Sequence, residues 1–297
     1  MPRWLLYTLI TMLLWGGWGL LSKPLSTSLT AWQVQCLSTI GLLPVLAFLA
    51  LGCKAGGIRG RGLWLGLAAG IIGSGGNIAY YQALAAGGKA AAVMPLTSLY
   101  PLVTIGLGFF VLKEKVNRVQ MLGILLALAA IGLFNLDSGS ASISGWWAVA
   151  MLPIALWGLA ALVQKIASGQ ASAEAVTLGF LLGFIPVALA TPFLEPIVWH
   201  QTGVTWALLF LLGLSFSLGN LTLIRAYGMG GNAAVVTPMA SLYSLITILL
   251  AVVILHERIS LREAAAIALS ILAILALSRE TPSACTAQNE KELSCEV

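Results

Sequence analysis

Charged side chains are scarce in this chain. Only 8% of its 297 residues are Asp, Glu, Lys or Arg, whereas 59% are hydrophobic. Soluble domains carry about 25% charged residues, so the composition excludes a protein that meets water on all sides. A nucleic-acid-binding surface is excluded as well, because no basic patch alternates with exposed aromatic residues. The net charge of +5 is therefore interpreted as a sign of membrane topology and of contact with anionic lipid.

Reactive groups are equally rare. The chain has two histidines, His200 and His256, four cysteines and one aspartate, Asp137. These residues form no Ser/His/Asp set and no pair of acids in a plausible context, and the cysteines lack metal-ligand spacing. We therefore expect no enzyme activity, no cofactor and no metal. A membrane enzyme is kept only as the weakest alternative.

Long apolar runs occupy most of the chain. A run of about 20 apolar residues crosses the hydrocarbon core of a bilayer as a helix, and period-two alternation, which would indicate a membrane β-barrel, is absent. The sequence therefore predicts an all-α polytopic membrane protein with ten transmembrane helices, at 4–22, 31–52, 63–84, 90–112, 119–136, 146–166, 174–194, 204–226, 233–255 and 262–278.

The chain is an internal duplication. Residues 77–115 and 220–258 agree at 17 of 39 aligned positions, with a shift of 143 residues. The fronts of the two halves also match, with a shift of 142 residues: Trp15 corresponds to Trp157, and Lys23 to Lys165. We predict a five-helix repeat over 1–140, a second over 141–278 and a disordered cytoplasmic tail over 279–297.

An odd number of helices per repeat decides the symmetry. If the first repeat enters from the cytoplasm, the second must enter from the opposite side, which gives two inverted repeats. Lys and Arg are retained on the cytoplasmic side, and 11 of the 15 would lie there if both termini are cytoplasmic. We expect this orientation, in the plasma membrane.

Each half ends in the same pattern: a Pro-x-x-Ser-Leu-Tyr helix, at Pro95 and Pro238, followed by Glu-Lys or Glu-Arg before the last span. With the layout of two times five helices, this pattern resembles the drug/metabolite transporter superfamily, and within it the EamA type of ten-helix permease. The resemblance covers about 4–278. It implies alternating access of two bundles around a central cavity, and cargoes that range from amino acids and sugars to nucleotide sugars and drugs.

Polar and aromatic residues near the middle of a span are candidates for the substrate pathway, because a buried polar group needs a partner in protein, water or solute. Four pairs recur in both halves; interhelical packing is the alternative for each of them, and favoured for the Asn pair. The pairs are Trp15 and Trp157, Asn77 and Asn220, Ser98 and Ser241, and Tyr100 and Tyr243.

Positions at which the halves differ are candidates for cargo selection. Tyr80, Tyr81 and Gln82 in the first half stand where the second half has Leu223, Ile224 and Arg225. Scaffold symmetry cannot explain such differences. We therefore include Tyr80, Tyr81, Gln82 and Arg225 in the predicted pathway. Arg225 also lies close enough to a membrane surface to snorkel.

Charged residues at the helix ends have structural alternatives. Lys23 and Lys165 would either attract an anionic group at the two mouths of the pathway or snorkel to the interface. Glu114 and Glu257 are interpreted as members of structural ion pairs with the adjacent Lys115 and Arg258.

Two further patterns concern the helices themselves. The segments that start at Asn117 and Ser260 read as capping boxes. Proline kinks helices by removing a backbone hydrogen bond, and four prolines at matching depths are predicted kinks: Pro44, Pro95, Pro186 and Pro238.

The aromatic centre without fixed mid-membrane charge favours a carrier of small polar organic solutes, amino-acid-like, acting in efflux or facilitated exchange. The alternative is a carrier of phosphorylated metabolites or nucleotide sugars. Because no Glu, Asp or His falls in the middle of a span, we expect transport without proton coupling. Partners are then a small-molecule solute and lipid, with no nucleic acid; monomer and homodimer both remain open.

Overall fold

The computed structural model describes residues 2–52, 60–111, 117–135, 145–229, 240 and 242–277. Every regular element in these ranges is helical, which confirms the predicted all-α class. The ten predicted spans all contain helix; among their described residues, three spans show two consecutive α-helices and the other seven show one. Glu114, Pro238 and Ser241, and the predicted tail, lie outside the described residues.

The described part of the first half contains seven α-helices and one 3₁₀ turn. They are α1 (Arg3–Ser28), α2 (Ala31–Ser38), the 3₁₀ turn Thr39–Leu42, α3 (Leu43–Gly52), α4 (Arg61–Ala85), α5 (Ala90–Thr97), α6 (Pro101–Val111) and α7 (Arg118–Asn135).

The described part of the second half contains six helices. They are α8 (Trp146–Ser168), α9 (Ala173–Leu182), α10 (Phe184–Leu194), α11 (Gly203–Gly228), α12 (Tyr243–Ile254) and α13 (Leu261–Leu277).

Length and apolar character identify a multi-pass membrane protein. Seven helical stretches of the described chain are long and apolar enough to cross a bilayer, and Arg118–Leu133 and Tyr243–Ile254 are shorter apolar helices. Large apolar side chains point outwards: Leu51, Phe193 and Leu261 are 89%, 90% and 89% exposed. Such a surface is unfavourable in water and suits lipid.

Both predicted capping boxes are present. The Asn117 backbone N–H donates to Gln120 Oε1 at 3.0 Å, and the Gln120 N–H donates to Asn117 Oδ1 at 2.8 Å. Ser260 and Glu263 exchange the same two bonds at 2.8 and 3.2 Å. Each box satisfies two N–H groups that a helix start leaves free, so α7 and α13 begin where the sequence predicts.

Three spans are interrupted at or near prolines. The second span changes to the 3₁₀ turn just before Pro44, and α9 stops at Gly183, three residues before Pro186. The fourth span breaks after α5, which contains Pro95, and resumes at Pro101. Proline cannot donate a hydrogen bond to the preceding turn, which is consistent with a change of helix at these three places.

The two halves exchange equivalent contacts. Helix α1 packs against α11 and α12 of the second half, while α8 packs against α4 and α6 of the first. Two close crossings are equivalent under the repeat: Gly41 meets Gly213, and Gly183 meets Gly70. A pseudo-two-fold axis therefore relates the halves.

The direction of the helices shows that the repeats are inverted. Helix α1 runs parallel to α4, because Trp18 packs on Tyr80 and, further along both helices, Lys23 bonds to the carbonyl of Leu84. Helix α8 runs antiparallel to α4, because Gly76 faces Trp157 whereas the later Gly88 faces the earlier Trp146. The equivalent helices α1 and α8 thus run in opposite directions, as predicted.

Candidate solute site between the two repeats

A cavity of about 130 Å³ lies between the halves, where α1, α4, α8 and α11 meet. Seven aromatic rings, three amide side chains and three small residues line it, and no charged side chain of the described chain is among them. The lining residues are Trp15, Trp18, Gly73, Asn77, Tyr100, Trp157, Ala160, Ala161, Gln164, Phe180, Phe216, Asn220 and Tyr243. A site of this composition binds through ring contacts and neutral hydrogen bonds.

The two central tryptophans reach across to the opposite repeat. Trp15 Nε1 donates to the carbonyl of Phe216 at 3.4 Å, and Trp157 Nε1 donates to the equivalent carbonyl of Gly73 at 3.2 Å. Trp157 Nε1 also donates to Asn77 Oδ1 at 3.1 Å. The indole N–H groups thus find partners in the bundle, and the rings remain as cavity walls.

The two asparagines line the cavity but differ in their bonds. Asn77 connects α4 to Trp157 of the other repeat. Asn220 Nδ2 instead donates to Phe216 O, within its own helix, at 2.8 Å. Asn77 therefore bridges two helices, which is the packing role that the sequence favours for the Asn pair.

The tyrosine pair stands against the tryptophan pair. Tyr243 lies edge-on to Trp15 with ring centroids 5.5 Å apart, and Tyr100 lies edge-on to Trp157 at 6.4 Å. Ser98 is buried behind the wall and donates to the Tyr243 hydroxyl at 3.0 Å. Tyr100 and Tyr243 thus form part of the lining, while Ser98 supports it.

The remaining predicted pathway residues lie elsewhere. Tyr80 and Tyr81 are fully buried beside Trp18 and do not line the cavity. Gln82 is exposed on α4, and Arg225 is exposed near the end of α11, where its guanidinium lies 6.0 Å from the Phe48 ring centroid. Helical rotation over one residue turns Gln82 away from the side occupied by Tyr81.

Seven lining residues were missed in the sequence. Four have large side chains, Trp18, Gln164, Phe180 and Phe216, and three are small, Gly73, Ala160 and Ala161. Trp18 carried a usable signal, because its equivalent in the second repeat is Ala160 and such departures from the repeat mark candidate selective positions. Phe180 and Phe216 are indistinguishable in sequence from lipid-facing phenylalanines.

The two lysines predicted at helix ends differ in their surroundings. Lys165 lies in the last turn of α8, whereas α1 continues past Lys23 to Ser28. Lys23 Nζ donates to the carbonyls of Leu84 and Gly88 at 3.0 and 2.6 Å, which links α1 to the turn after α4. Lys165 is exposed at the end of α8. Lys23 therefore connects two helices on its face of the bundle, whereas Lys165 is exposed.

Glu257 lies on the same face as Lys23. Its carboxylate accepts hydrogen bonds from the N–H groups of Ala90 and Ala91 at 2.8 and 2.9 Å, at the start of α5. The sequence predicts an ion pair with Arg258. In the structure the carboxylate instead binds the first N–H groups of α5, at the positive end of the helix dipole. The nearby ion pair is Lys89 with Glu263, at 2.7 Å.

Replacing Glu257 with glutamine is expected to lower the stability of the purified protein by about 1–2 kcal/mol, because a neutral amide loses one acceptor and the charge opposite the helix start. The measurement is thermal unfolding in detergent. Glu174→Gln is the control, since Glu174 is exposed in the first turn of α9 and contributes only a weak dipole interaction. Equal shifts in the two variants would contradict the role assigned to Glu257.

Two inverted repeats of five spans that enclose a cavity at mid-depth are the architecture of a secondary transporter. The model of the EamA-like transporter family matches residues 2–136 and 145–279, one match per half. The chain therefore belongs to the EamA-like transporter family and is a multi-pass membrane transporter of small solutes.

Two proteins are similar to this chain, and the name of neither indicates a cargo. An uncharacterized protein of Methanocaldococcus jannaschii is 38% identical over 63 residues, which are 21% of this chain and 45% of that protein. A protein of known crystal structure has a similar fold with a TM-score of 0.65 at 22% identity, over 92% of this chain and 96% of that one. The matched segment of this chain spans less than half of the archaeal relative.

Proposed function

We propose that this transporter carries small, polar, amino-acid-like solutes by alternating access. The observation behind this is the lining of the cavity: aromatic rings beside the amides of Asn77, Gln164 and Asn220, without a charged side chain among its described lining. Phosphorylated cargoes need Lys or Arg around the phosphate, so the neutral lining disfavours a phosphorylated metabolite or a nucleotide sugar.

The shape of the cavity supports loading from one face. On α8 the lining continues from Trp157 through Ala160 and Ala161 to Gln164, one residue before Lys165. On α1 it ends at Trp18, one turn after Trp15. The cavity therefore extends towards the Lys165 face, which the distribution of Lys and Arg assigns to the cytoplasm. Loading from inside the cell fits efflux or exchange across the plasma membrane.

Coupling to protons is not part of the proposal. No Asp, Glu, Lys or Arg of the described residues is buried, and none lines the cavity. A proton-driven carrier uses an ionisable group within the membrane. Transport is therefore proposed to follow the gradient of the solute itself.

The test is counterflow of radiolabelled amino acids in proteoliposomes that contain the purified protein. We expect accumulation of neutral amino acids above that in empty liposomes, and no acceleration by an imposed proton gradient. Glucose 6-phosphate and UDP-glucose are the comparison solutes. Selective uptake of these two would favour the alternative cargo class, and strong acceleration by the gradient would overturn the uncoupled mechanism.

A further inference from the structure

The inverted repeat is broken at one position of the cavity wall. Trp18 on α1 corresponds to Ala160 on α8, and both line the cavity. Their neighbours Trp15 and Trp157 are identical, so the two halves offer the same frame on either side of the centre. An indole therefore lies on one side of the solute site, and a methyl group lies at the equivalent point on the opposite side.

Trp18 is held in a block of aromatic rings. Its ring stacks on Tyr80 with centroids 5.0 Å apart and planes 22° apart. Tyr81, Trp157 and Phe216 surround it at 6.2, 6.0 and 5.7 Å. Trp18 is 4% exposed, and Tyr80 and Tyr81 are 0% and 1% exposed. Such packing fixes the indole as an end wall, because its rotation would displace several rings at once.

On the other side of the centre no indole stands at the equivalent point, and the packed rings beside Ala160 are the smaller ones of Phe180, Phe184 and Phe216. Leu223 and Ile224 replace Tyr80 and Tyr81 in the second repeat, and Ala160 leaves room that the cavity occupies as far as Gln164. The symmetric scaffold therefore gives the site two ends, one at Trp18 and one beyond Ala160. The indole of Trp18 closes the first, and the second stays open as far as Gln164.

We propose that Trp18 sets the size limit of the solute, as the end wall of the binding site, and that Ala160 leaves the opposite end long enough for a side chain. The solute would contact the central rings of Trp15 and Trp157 and extend towards Gln164. This assignment rests on the proposed function for its solute class, but the closed space beside Trp18 is a property of the cavity itself.

The test uses two mirror variants, Trp18→Ala and Ala160→Trp, with binding of indole and counterflow of alanine, leucine and tryptophan as readouts. Indole binding is measured by the shift in unfolding temperature. Trp18→Ala is expected to bind indole at least tenfold more tightly than the wild type and to raise the tryptophan-to-alanine transport ratio at least tenfold. Ala160→Trp is expected to lower that ratio at least tenfold while alanine still moves.

The outcomes separate the two proposals. If the wild type moves none of the amino acids, the proposed function fails, and the indole measurement alone decides the role of Trp18. A folded Trp18→Ala protein with wild-type indole affinity would overturn the role of Trp18. If Trp18→Ala does not fold, Trp18→Leu replaces it with the same expectations, and an unchanged indole affinity there overturns the proposal equally.

Discussion

Gly213→Ala is expected to destabilise the protein by about 3 kcal/mol, at the upper end of typical overpacking costs. A methyl group at this position would run into the backbone carbonyl of Ser38 and would lie 3.0 Å from the Cα of Gly41. Backbone atoms cannot rotate away as a side chain can, so α11 and the 3₁₀ turn would have to separate. Gly70→Ala should have a similar effect, because it meets the Phe180 carbonyl at the equivalent crossing.

The matched control is Gly106→Ala on α6. Nothing lies within 4 Å of the position its methyl group would occupy, and alanine is the better helix former by about 0.8–1 kcal/mol. The control should therefore leave the unfolding temperature in detergent unchanged or raise it. If Gly213→Ala and Gly106→Ala shift the unfolding temperature alike, the crossings are not the close contacts described above.

Trp157→Ala is expected to reduce amino-acid counterflow at least tenfold. The substitution removes a central wall of the cavity, and it leaves the carbonyl of Gly73 and the side chain of Asn77 without their shared donor. A ring contact contributes about 0.5–1.5 kcal/mol beyond its buried area, and each 1.4 kcal/mol of solute binding lost is roughly a tenfold effect. Trp15→Ala should have a smaller effect, because Trp15 makes a single bond of 3.4 Å.

Trp64→Ala provides the control for loss of a tryptophan as such. Trp64 is 68% exposed on α4, away from the cavity lining, and its removal should leave transport within a factor of two to three, the usual scatter for such changes. The comparison is made at equal amounts of reconstituted protein. Retained transport in Trp157→Ala would show that the central cavity is not the solute path.

Much of the site was predictable because the duplication repeats it. Trp15, Asn77, Tyr100, Trp157, Asn220 and Tyr243 all line the cavity, and each was recognisable as a polar or aromatic member of a recurring pair near mid-span. These residues meet at the cavity because a pseudo-two-fold axis brings equivalent residues of two inverted repeats to the same depth; their part in a substrate pathway stays a prediction. Depth follows from helical rise, which the sequence fixes.

Rotation about the helix axis was less predictable. Tyr80, Tyr81 and Gln82 are consecutive on α4, yet the two tyrosines are buried and the glutamine is exposed. In soluble helices the polar side indicates solvent, but these helices are apolar on nearly all sides, so periodicity does not reveal which side meets lipid. Only the packing of α4 against α1, α2, α8 and α9 decides it.

By itself the sequence determined the membrane location, the all-helical class, the number of spans and their inversion, and the capped starts of α7 and α13. These depend on local quantities: apolar length, an odd helix count per repeat, and hydrogen bonds between residues three apart. The tertiary structure alone decided the glycine crossings, the partner of Glu257 and the closure of the cavity by Trp18. Each of these depends on contacts between residues distant in the chain, whose geometry exists only once the helices pack.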